Sequence, residues 1–125
     1  MIVPVLRFLL VFLSALTLAQ PVLAGEADVV GVKVTKSGPG VYHFAVSVRH
    51  GDTGWKHYAD AWQVLGPDGT VLGTRVLAHP HENEQPFTRS LSGVAIPKGI
   101  VKVRLMARDK VHGYGGAEMM VDLPR

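Results

Sequence analysis

Residues 100–109, "IVKVRLMARD", decide the fold. Val101, Val103, Leu105 and Ala107 alternate with Lys102, Arg104, Met106 and Arg108. A period of two puts one row of side chains in a core and the other in water, as in a half-buried antiparallel strand. The same alternation runs outward in both directions, and no window reads as an amphipathic helix.

Towards the C-terminus, "KVHGYGG" connects to a last strand, "AEMMVDL", with Met119, Val121 and Leu123 facing inward. Towards the N-terminus lie "FTRSLS", "TVLGTRVL" and "ADAWQVL", the last two joined by the turn "GPDG". Before them "VYHFAVSVRH" directs Phe44, Val46 and Val48 inward, and "VVGVKVT" places Val30, Val32 and Val34 on one face. Seven short strands at intervals of roughly 8 to 15 residues, separated by turn signals, predict an all-β, seven-stranded antiparallel two-sheet sandwich. A small antiparallel barrel is the alternative.

Trp62 on the third strand resembles the pattern of immunoglobulin and fibronectin type III domains. That likeness covers residues 25–125 at the level of fold, and the immunoglobulin cysteine pair is missing. It implies an architecture and no activity. The chain also resembles small exported bacterial proteins, a likeness that brings no function with it.

Residues 1–24 read as a secretory signal peptide. Arg7 precedes the apolar run "FLLVFLSALTLA", and Val22 and Ala24 occupy the small-residue positions before a cut after Ala24. The run is shorter than the roughly 20 residues of a membrane span. The expected mature chain is a single domain, residues 25–125, periplasmic or secreted and free of the membrane after cleavage. Its formal charge falls from +3 to +2 with the loss of Arg7, and its basic residues are scattered, which argues against a nucleic-acid partner. There is no cysteine, so packing or a bound ion has to stabilise the fold.

In an antiparallel sandwich successive connections alternate between the two ends. The second, fourth and sixth therefore share a pole, and they hold His50, His57, His79, His81 and His112, five of the six histidines. In "AHPHENEQPF", residues 78–87, His79 and His81 stand two apart around the stiff Pro80, a spacing that lets two imidazoles face one ion. His57, His79, His81 and His112 are the expected metal ligands. Asp60, Glu82 and Asp109 are expected to orient them through their second nitrogens, with Trp55, Tyr58 and Tyr114 as pocket walls. His50, on the inward parity, reads as a structural histidine. A thiolate-free histidine set suits copper, then zinc. The expected role is carriage or buffering of that ion. The alternative is a metal-free module of the cell envelope that contacts a protein or glycan through the same loops. No motif supplies a recognisable reaction.

Overall fold

The computed structural model describes residues 25–125; residues 1–24, the expected signal peptide, lie outside the described residues. Seven strands run in order: β1 (Asp28–Gly38), β2 (Val41–Arg49), β3 (Ala59–Leu65), β4 (Val71–Val76), β5 (Phe87–Ala95), β6 (Lys102–Asp109) and β7 (Met119–Asp122). They form two antiparallel sheets, β1-β2-β5 and β4-β3-β6-β7. The sheets stay open at their edges, so the architecture is the sandwich rather than the barrel.

Alternation accounts for the core. Phe44, Val46 and Val48 of β2, Trp62 and Val64 of β3, and Val103, Leu105 and Ala107 of β6 are all buried. β6 begins one residue inside its apolar row, and Val101 is left exposed. In β1 the pairing with β2 shifts register between Val29 and Gly31. One inserted residue reverses the parity of everything before it. Val29 is therefore buried and Val30 exposed, while Val32 and Val34 pack on the core as expected. β5 runs on past "FTRSLS" to Ala95, and Val94 enters the core.

The "GPDG" turn closes as a tight hairpin, with Gly69 at φ +84°. The Gly66 N–H donates to the Thr70 carbonyl, and the Asp68 carboxylate accepts from the N–H and hydroxyl of Thr70. Those two donors hold the Asp68 carboxyl below its usual pKa. At the opposite end the longer connections gather, and strand reversal brings the end of β2, the start of β3 and the end of β6 together there.

Gly115 and Gly116 of the β6–β7 connection make room for the entry to β1. A Cβ on Gly116 would fall within 3 Å of the Ala27 backbone, and one on Gly115 within 3 Å of the Glu26 side chain. Their absence lets this loop close on the entry to β1, where the Val29 N–H donates to the Ala117 carbonyl and the Ala117 N–H to the Asp28 carboxylate.

Candidate metal centre

The inward rows of β2 and β6 do not stop at apolar residues. One step past β2, on the parity of Phe44, Val46 and Val48, comes His50, 2% exposed. At the end of β6, continuing Val103, Leu105 and Ala107, comes Asp109, fully buried. Antiparallel pairing of Ala59 with Asp109 lays the β2–β3 connection beside it, and His57 of that connection turns in. Three titratable side chains thus meet where the core opens at this pole.

The donor atoms converge. His50 Nε2 lies 3.2 Å from His57 Nε2 and 3.9 Å from Asp109 Oδ2, and His57 Nε2 lies 3.4 Å from Asp109 Oδ1. Nitrogen ligands at the usual 2.0–2.1 Å around a tetrahedral zinc are separated by about 3.3 Å from one another. The two imidazole nitrogens stand near that edge length, as does His57 Nε2 from Asp109 Oδ1, and one donor atom from each of the three residues lies within 4.8 Å of the others.

Hydrogen bonds fix how each group is presented. His50 Nδ1 is 2.5 Å from Asp52 Oδ1, so a neutral His50 donates there and turns its Nε2 lone pair towards the cluster. A carboxylate behind an imidazole in this way is the common arrangement for a metal-ligating histidine. Asp109 Oδ1 accepts from the N–H groups of Val111 and His112 and lies 3.1 Å from His112 Nδ1. Its Oδ2 is buried with no hydrogen-bond partner. Burial pushes the Asp109 carboxyl up, yet the two N–H donors and the His112 imidazole outweigh it and hold the group below its ordinary pKa. An ionised, buried oxygen with nothing to accept from is costly unless a cation or donor reaches it.

Asp52 ties this cluster to the neighbouring loop. Its Oδ1 also accepts from the Ala59 N–H and its Oδ2 from the His81 N–H. Gln85 adds a second tie, accepting from the His50 N–H and donating to the His81 carbonyl.

Of the four histidines expected to share an ion, His57 and His112 come together beside Asp109, with ring centroids 5.2 Å apart. His79 and His81 form a separate pair, 4.5 Å between centroids, along an open groove with Trp55, Glu82, Asn83 and Glu84. His79 is exposed, with Nδ1 3.0 Å from the Pro80 carbonyl. His81 is buried, stacked 3.9 Å from Phe87, and its Nε2 is 2.8 Å from Arg89 Nη2. A guanidinium only donates. The His81 Nε2 lone pair is thereby engaged by Arg89, and its Nδ1 is buried without a partner.

The expected supporting residues divide likewise. Asp109 stands in the cluster itself. Asp60 reaches Arg108 at 3.4 Å, and Glu82 is exposed in the groove. Tyr58 is buried, with Trp55 edge-on to it at 5.7 Å and itself 63% exposed over the groove. The Tyr114 hydroxyl is pushed up by burial, opposed by the charge of Arg108 and reinforced by that of Asp60, which places it with that ion pair. His43 stays away on β2, 2.7 Å from Ser92 Oγ. His50 and Asp52 are the residues whose part in the site sequence reasoning missed. The signal for them was "HGD" at the end of an inward row, a histidine with a carboxylate two residues on.

Burial first, then the charges of Arg89 and His79, lower the His81 pKa. A histidine held neutral stabilises the fold fully above its unfolded pKa of about 6.5 and loses that contribution as pH falls through the lower folded value. Denaturant midpoints are expected to fall between pH 7 and 5, and the fall should shrink in His81→Gln. An unchanged pH profile in that variant would contradict this assignment.

No protein-family model and no solved structure matches this chain. It is similar to a protein of Halomicrobium mukohataei described as "Putative lipoprotein", 42% identical over 97 residues, which is 78% of this chain and 47% of that one. The chain spans about half the length of this curated relative. Among the described residues no helix is long and apolar enough to cross a membrane.

Proposed function

We propose that this is an exported domain that carries or buffers one divalent transition-metal ion, copper or zinc, at the pole where β2 and β6 end. The ligands are His50, His57 and Asp109, with Asp52 behind His50 and His112 holding Asp109 in place. The single observation that carries the reading is the convergence of the His50 and His57 Nε2 atoms, 3.2 Å apart, on the buried Asp109 carboxylate, whose Oδ2 has no hydrogen-bond partner. Imidazole with carboxylate and no thiolate suits zinc and copper(II). Export is supported by the leader-like residues 1–24 and by the description of the relative.

This ligand set takes His57 from the four-histidine expectation, adds His50 and Asp109, and leaves His79 and His81 outside. Titrating residues 25–125 with Zn(II) or Cu(II) should saturate at about one ion per chain. His57→Ala should remove that binding, and a His79→Ala, His81→Ala double change should leave it in place. The opposite pattern would refute the assignment.

A second reading keeps the domain as a metal-free envelope module. The observation behind it is Trp55, 63% exposed at the rim of the groove with Glu82 and Glu84, a surface suited to a protein or glycan contact. A chain that takes up neither ion would favour it.

A further inference from the structure

We infer that Gly25 supplies the remaining donors of this centre, its carbonyl oxygen and, once cleavage after Ala24 frees it, its α-amine. The inference rests on the metal-centre reading above and goes beyond it by tying the site to processing of the chain.

The Gly25 carbonyl oxygen lies 3.0 Å from His50 Nε2, close to the edge length of a tetrahedral shell. His50 Nδ1 is committed to Asp52, so in the neutral imidazole the Nε2 lone pair faces the oxygen's. Two lone pairs at that distance repel unless a proton or a cation lies between them. Asp109 Oδ2, buried and unpartnered, approaches the same Nε2 from another element. Two electron-rich oxygens, one from Gly25 and one from the end of β6, thus approach the same imidazole nitrogen at the end of β2.

Gly25 is held there by the residues that follow it. Ala27 is fully buried, and residues 26–28 are clasped by the β6–β7 connection through the Val29 and Ala117 hydrogen bonds. The close approach depends on Gly115 and Gly116. The α-nitrogen and carbonyl oxygen of one residue close a five-membered ring on an ion, and glycine puts no side chain in the way. In the unprocessed chain that nitrogen is an amide, a far poorer donor, so the site reaches full strength after the leader is removed.

The test compares two purified, untagged chains, one beginning at Gly25 and one retaining residues 21–24, by competitive titration with Zn(II). The chain beginning at Gly25 should bind about 10–100-fold more tightly, the scale on which a partner of a metal site matters. Equal melting of the two metal-free chains would show that both fold. Equal affinities would overturn the inference and leave the three-ligand reading standing. Failure of both folded chains to bind would overturn the two together. The intact mass of protein exported with its own leader should correspond to residues 25–125, and a cut elsewhere would also overturn it.

Discussion

Replacing Asp52 with alanine should cost the domain at least about 3 kcal/mol, from three buried donors left unmet at roughly 1–3 kcal/mol each. Those donors are the His50 imidazole at 2.5 Å, the Ala59 N–H at 3.0 Å and the His81 N–H at 2.6 Å. Each belongs to a different part of the pole, so the carboxylate joins the end of β2, the start of β3 and the β4–β5 connection. Both His50 and Asp52 have fully buried side chains, which leaves little room for water to replace the lost oxygens. Against a total stability of about 5–15 kcal/mol for a domain, the loss is large. Asp52→Asn retains one acceptor oxygen and should lose less. Denaturant unfolding of the three chains checks this, and a loss below about 1 kcal/mol for Asp52→Ala would show that Asp52 does not tie the pole together.

Loading the centre should stabilise the fold strongly, because an ion bound only by the native state adds its binding free energy to folding. A hundredfold excess over Kd contributes about 2.7 kcal/mol. For a domain of this size each kcal/mol moves Tm by about 4–8 °C, so a rise of roughly 10–20 °C is expected with Zn(II) or Cu(II) and its reversal with chelator. His57→Ala should abolish the rise. His57 is the better probe because its side chain is 17% exposed, whereas those of His50 and Asp109 are fully buried. Removing either buried partner would mix a folding defect with the loss of a ligand. A Tm indifferent to both ions and to chelator would contradict the metal reading and favour the interaction module.

Much of the architecture is legible in the alternation of apolar residues. β3 falls on "ADAWQVL" residue for residue, and β2 and β6 bury the rows their parity implies. The bulge after Val29 was not legible, because it is set by pairing with β2 and leaves no mark in the local pattern. At the site, strand reversal does bring His50, His57, His79, His81 and His112 to one pole. What it leaves open is where each imidazole points. His81 was expected to face an ion, but Arg89 and Phe87 from the adjoining strand engage it, and neither partner is visible from the "HPH" spacing. His50 was read as structural from its inward parity. That same parity aims its Nε2 at Asp109, and only the packing of one sheet on the other brings the ends of β2 and β6 together.

The most direct test is X-ray absorption at the zinc edge of the untagged chain loaded with one equivalent of Zn(II). Four or five nitrogen or oxygen neighbours near 2.0–2.2 Å, with outer-shell scattering from two imidazoles, are predicted. A shell containing no imidazole would deny a centre at His50 and His57, and one containing four would move it back to the loop histidines.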